Sequence, residues 1–148
     1  MLEAIKVLAE SGEIVIAGGG GGIPVSTRGG TLSGMAAVID KDRCSAELGI
    51  ALGADVLVLL TAVPRVAVDF GTRWERPLRR LDTAQARRLR ESGEFPPGSM
   101  GPKVESAERF ATGAPGVAVV TDADHLLAAV RGEEGTRIEP AREEVAAG

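Results

Sequence analysis

Three short runs of apolar, largely β-branched residues constrain this chain most: Ile14-Val15-Ile16-Ala17, Val56-Leu57-Val58-Leu59-Leu60 and Val117-Ala118-Val119-Val120-Thr121. None shows the polar alternation of a half-solvated strand, so each reads as a strand buried on both faces. Helical stretches lie between them. Residues 43–52 carry Ala46, Leu48, Ile50, Ala51 and Leu52 and stop at Gly53, and residues 83–92 form a basic helix with Leu81 and Leu89 inward. Residues 3–11 repeat the pattern with Ile5, Leu8 and Ala9 before Gly12, and residues 123–130 make a last short helix. Strands alternating with helices predict an α/β domain, a mainly parallel sheet in a three-layer α/β/α sandwich.

The 148 residues suffice for one domain with a real core. Residues 1–139 are expected to form it, and residues 140–148 read as a frayed tail. A net charge of −4 argues against nucleic acid as partner. The arginines at 73, 76, 79, 80, 87, 88 and 90 therefore read as a solvated helix face. No apolar run is long enough to cross a membrane, and residues 1–6 lack the basic-then-apolar order of a signal peptide. The lone Cys44 excludes an internal disulfide framework and fits a reducing cytoplasm. The lone His125 excludes a histidine-based metal cluster and reads as a surface or capping residue. Residues 26–35, rich in Gly, Ser and Thr, read as a surface loop.

Two stretches carry chemistry. Phe-Pro-Pro-Gly-Ser-Met-Gly-Pro-Lys-Val-Glu, at 95–105, packs prolines and glycines too densely for regular structure and then turns helical through Val104, Ala107 and Phe110. Pro102 suits the first helical position. Lys103 then falls in a first turn, where the helix dipole favours anions over cations. A lysine and a helix start facing the same way fit a shared anion, most simply a phosphate. The second stretch is Gly18 to Gly22, directly after an expected strand, where bare backbone N–H groups can line an anion site. It matches neither a Rossmann fingerprint nor a Walker loop.

Four segments resemble the carbamate kinases of the amino acid kinase superfamily, in the same order. They are Ile14 to Val25 with the glycines, Ala37-Val38-Ile39-Asp40-Lys41-Asp42, Leu60-Thr61-Ala62-Val63 with Val68-Asp69-Phe70-Gly71, and the 95–107 stretch. The resemblance covers nearly the whole chain but only the C-terminal, nucleotide-binding half of a usual member. It implies the amino acid kinase fold, truncated at the N-terminus, and the reaction ATP + carbamate ↔ ADP + carbamoyl phosphate in the arginine metabolism of the cytoplasm. Magnesium is expected to accompany the nucleotide on its phosphate oxygens, since the sequence offers no dedicated metal cage.

By motif, Lys41, Asp42 and Lys103 are expected to be catalytic, with Asp42 orienting the two lysines across the transferring group. Thr61, Ala62, Val63, Val66, Phe70 and Met100 are expected to border the nucleotide, with Lys103 on its phosphates. Gly19, Gly20, Gly21 and Gly22 are expected to form the substrate loop. The same Asp-Lys-Asp run also reads as a simple helix cap, and both roles are compatible. Ala67 stands where the family often has tyrosine, and Gly71-Thr72-Arg73 replaces its usual Gly-Lys-Pro. The partners implied are a separate N-terminal half or a second copy in a homodimer. A nucleotide-binding or structural module without catalysis is the competing reading.

Overall fold

The computed structural model describes residues 2–141, so 142–148, the greater part of the expected tail, lie outside the described residues. Its central sheet has four strands in the order β3 (Val56–Leu60), β7 (Val117–Thr121), β8 (Thr136–Glu139) and β6 (Arg80–Asp82). The β3–β7 and β6–β8 pairs are parallel and β7–β8 is antiparallel, so the sheet is mixed and mostly parallel. Successive side chains of β7 face opposite ways. Ala118 and Val120 enter the main core, beneath α2 (Lys41–Leu52), α3 (Thr83–Glu91) and α4 (Met100–Gly113). Val119 faces the other side with Ala129 of α5 (Leu126–Val130), near Gly135. Helices thus cover both faces of the sheet, the α/β layering that the sequence predicts.

The core gathers Phe110, Val104, Val66, Val120 and Ile138, all fully buried. Two glycines let α2 and α4 approach closely: a Cβ on Gly49 would stand 2.9 Å from the Phe110 ring, and one on Gly113 2.9 Å from Ile50. Gly53 ends α2 in the left-handed region at φ 65°, as its stop signal implied. Asp82 caps α3 in a capping box with Gln85.

Four expectations need correction. Residues 14–17 form no strand; Ile14 and Ile16 are 96% and 97% exposed. An apolar run predicts burial, but a strand also needs a hydrogen-bonding neighbour, and none of the described strands pairs with it. β3 forms, yet only Leu59 on it is buried, because it is the sheet's edge and lacks a neighbour on one side. Residues 26–35 are mostly a β-hairpin of β1 (Val25–Arg28) and β2 (Thr31–Gly34). Its two-residue turn, Gly29-Gly30, has φ 59° and 81°, the positive pair a tight hairpin requires. Finally, the basic helix face is only partly solvated: Arg87 and Arg90 reach the buried Glu108 on α4 at 2.7 and 3.5 Å.

The remaining elements are small. α1 (Leu2–Glu10) fully buries none of its residues; Ile5 is half-buried beside α2 while Leu8 and Ala9 are exposed. A minimal ribbon of β4 (Ala67–Val68) and β5 (Arg76–Pro77) follows the C-terminal end of β3. Among the described residues no helix is long and apolar enough to cross a membrane.

Candidate active site

Asp40 opens α2 as its N-cap. Its carboxylate accepts from the backbone N–H groups of Asp42 and Arg43 at 2.9 and 3.0 Å. That cap orients the first turn, so Lys41 and Asp42 leave the helix start in fixed directions. The Asp42 side chain turns inward and is 7% exposed. α4 starts differently. Ser99 makes no side-chain cap bond, so the first N–H groups of α4 lack the side-chain partner that α2 has. Pro102 is the third residue of this helix rather than the first, still within the turn where its missing N–H goes unused.

Lys103, one residue further, meets Asp42: its Nζ stands 3.0 Å from Oδ2 and 3.3 Å from Oδ1. Lys41 Nζ stands 3.5 Å from the same Oδ2. Residues far apart in sequence thus converge, with the acid between the two amines. Lys103 is mostly buried and Lys41 largely exposed, at 12% and 64% of side-chain area. The inner amine is enclosed; the outer one faces solvent.

The glycine loop lies against this helix start. A Cβ on Gly21, at φ 142°, would stand 2.3 Å from the Ile39 carbonyl oxygen and 3.8 Å from the Lys41 nitrogen, so only glycine fits there. Gly19, Gly20, Gly21 and Gly22 line an apolar groove with Ile5, Ile23, Cys44 and Leu48.

A separate cavity of about 210 Å³ opens at the C-terminal end of β3, where open α/β sheets place ligands. Thr61, Ala62, Val63, Phe70 and Met100 all border it. Val66 does not. It is fully buried in the core, and its N–H donates to Thr136 Oγ1 at 2.9 Å. In an extended segment alternate side chains face opposite ways, so Arg65 and Ala67 line the cavity while Val66 turns from it. Met100 borders the cavity and opens α4; Lys103 lies three residues on, about 4.5 Å along the helix axis.

Sequence reasoning did not single out Arg65 or Glu94, which also line the cavity. Glu94 accepts from the Asp69 N–H at 3.3 Å. Asp69, with φ 53°, is the one described non-glycine residue in the left-handed region, and that turn sets Phe70. No local pattern announces such a long-range bond. His125 occupies the N-cap position of α5, and its Nδ1 lies 2.6 Å from Asp122 Oδ1. Burial pushes the Asp122 carboxyl up, but hydrogen bonds from the His125 ring and backbone, with the ring's charge, outweigh it and lower it. The Asp122 hydrogen bond and charge raise His125 against burial.

Two amines thus share one carboxylate, with the glycine loop packed against the α2 start and an apolar cavity beginning one turn before Lys103. A profile of the amino acid kinase family matches residues 1–122. The chain belongs to that family. Within it, the chain is 46% identical over 137 residues to a carbamate kinase of Clostridium perfringens, covering 92% of this chain and 44% of that protein. The carbamate kinase-like protein YqeA of Escherichia coli is 45% identical over the same shares. The chain therefore spans less than half the length of the curated relatives it matches. A Giardia lamblia carbamate kinase bound to AMP-PNP superposes with a TM-score of 0.89 at 33% identity, over 95% of this chain and 49% of that one. The fold of this chain is the amino acid kinase fold. A Neisseria gonorrhoeae N-acetylglutamate synthase shares it at 21% identity, with a TM-score of 0.66.

Proposed function

We propose that the chain is the nucleotide-binding half of a carbamate kinase-type phosphotransferase interconverting ATP and carbamate with ADP and carbamoyl phosphate. The observation that carries this reading is the Lys41–Asp42–Lys103 cluster, whose Lys103 lies one helical turn beyond Met100, a residue lining the β3 cavity. Phosphoryl transfer asks mainly for positioning and for positive charge where negative charge spreads. Lys103 holds the donor's β- and γ-phosphates from the first turn of α4. Lys41, largely exposed, reaches the transferring group from the other side, and Asp42 keeps both amines on target. The base lies among Ala62, Val63, Phe70 and Met100, while the glycine loop admits the small acidic acceptor.

Among the described residues no three His, Cys, Asp or Glu side chains gather to hold a metal, and both Asp42 oxygens already face lysines. The residues present fit magnesium carried on phosphate oxygens, where the ion offsets charge between the β- and γ-groups. Cytoplasmic residence and a role in arginine metabolism belong to this same reading.

A second reading, a module that binds nucleotide without turnover until a separate N-terminal half or a second copy joins it, is favoured by the relatives' greater length. Calorimetry with ADP separates these ideas. Binding is expected to be weak in the wild type and at least about tenfold weaker in Lys103→Ala, the loss expected for one charge-assisted contact. Lys103→Ala leaves the buried Asp42 with only the exposed Lys41 at 3.5 Å, so melting temperatures are recorded alongside to separate lost binding from lost fold. A coupled assay for ATP formation from carbamoyl phosphate is expected to show little turnover by the chain alone. Equal ADP affinity in the two proteins would sink the site; brisk turnover would sink the incomplete-enzyme idea.

A further inference from the structure

The contacts between α2 and α4 rise together along both helices. Asp42 meets Lys103, Arg43 meets Glu105, Glu47 meets Arg109, Gly49 faces Phe110, and Ile50 faces Gly113. The two helices therefore run parallel and begin at the same end of the molecule. Their dipoles point the same way, and positive ends side by side repel each other. Asp40 offsets this at α2 alone, as α4 has no side-chain cap. The Lys103–Asp42 bond spans these two starts, and a second ion pair lies beside it.

We infer that the Arg43–Glu105 ion pair is a positioning clasp for the two lysines, an inference that rests on the phosphoryl-transfer reading above. Arg43 Nη2 lies 3.0 Å from Glu105 Oε1. Arg43 directly follows Asp42, and Glu105 stands two residues beyond Lys103. The clasp thus crosses the interface beside the Lys103–Asp42 bond and fixes the spacing of the same two helix starts. Both side chains are about half exposed, at 57% and 46%. Exposed pairs of this kind add little to global stability. Their effect here is geometric, because phosphate contacts tolerate little displacement: about 1 Å of misplacement can cost on the order of a hundredfold in rate. The second bridge, Glu47–Arg109, continues the clasp towards the glycine-mediated contacts and leaves the free ends as the place where play develops.

Positioning and simple electrostatics predict opposite signs at Glu105. Removing an acid near a polyphosphate should tighten binding if only the field matters. If the acid is half of a clasp, its removal loosens the lysines and weakens binding. ADP is therefore titrated by calorimetry into the wild type, Arg43→Gln, Glu105→Gln and the double variant, with melting temperatures recorded alongside. Each single substitution is expected to weaken ADP roughly three- to tenfold, and the double no more than the worse single, as for two residues acting through one contact. Melting temperatures are expected to stay at the wild-type value. Tighter or unchanged ADP binding in Glu105→Gln overturns the clasp, as do additive losses in the double variant or affinity losses that track melting temperature. Lys103→Ala run in parallel tells the two failures apart. If it too binds ADP like the wild type, or the wild type gives no ADP signal, the site reading has failed. If Lys103→Ala loses ADP and Glu105→Gln does not, only the clasp has.

Discussion

His125 shows how one residue can be bland in function and still informative. It caps a short helix and faces Asp122. Its folded pKa lies above the ordinary value of about 6.5, first because of that hydrogen bond and then because of the Asp122 charge. The contribution to stability is therefore complete below about pH 6.5 and is lost as pH rises through the higher folded value. Asp122 behaves the opposite way: its contribution is present above the ordinary carboxyl range and is lost as pH falls through its lowered pKa. Because the chain has a single histidine, proton NMR can follow its ring without assignment. The titration midpoint is expected above 6.5 and should fall in Asp122→Asn. A wild-type midpoint at or below 6.5 would contradict the contact. The residues of the Lys41–Asp42–Lys103 cluster were legible only through motif order, since charge and spacing gave no hint that positions so far apart meet.

Among elements, the α2–α4 pair governs the geometry. Gly49→Ala tests it, because two effects compete. Alanine gains about 0.5–1 kcal/mol of helix propensity. Its Cβ, however, would press on the fully buried Phe110 ring from 2.9 Å, and overpacking of that kind costs about 1–3 kcal/mol. The ring has nowhere to go, so overpacking wins. The melting temperature should fall by a few degrees, at roughly 2–4 °C per kcal/mol for a chain of this size. Gly113→Ala, at the last residue of α4, meets the Ile50 side chain, nearest at Cδ1, and should cost less because Ile50 is only partly buried. A scan ranking the two in reverse would show that the helices do not pack as described. Element existence was the readable part of this fold. The helices at 41–52, 83–91 and 100–113, and strand β7, follow from period, caps and stops. The hairpin at 25–34 carried a Gly-Gly turn signal inside a segment whose small polar residues read as loop. The edge position of β3 was out of reach, since strand order is set by partners far along the chain.

At the scale of the molecule, apolar area is left in water. Ile14, Ile16 and Val38 are each at least 95% exposed, Ile23 is 82% exposed, and α1 fully buries none of its residues. Exposed apolar surface of this kind drives association. Sedimentation velocity is expected to show concentration-dependent self-association of the isolated chain, reduced by Ile14→Thr with Ile16→Thr while ADP affinity is kept. A strictly monomeric wild type across the micromolar range would count against it. This is also where reading the sequence went furthest astray, because residues 14–17 carry every local mark of a core strand. Composition states what a segment prefers to touch; it does not say whether that surface is present. Phe110 and Gly49 lie far from the lysines, yet they are rungs of the same α2–α4 ladder. Changes at its foot tilt the top rung, so on the phosphoryl-transfer reading proposed above Gly49→Ala is expected to weaken ADP binding as well as lower the melting temperature.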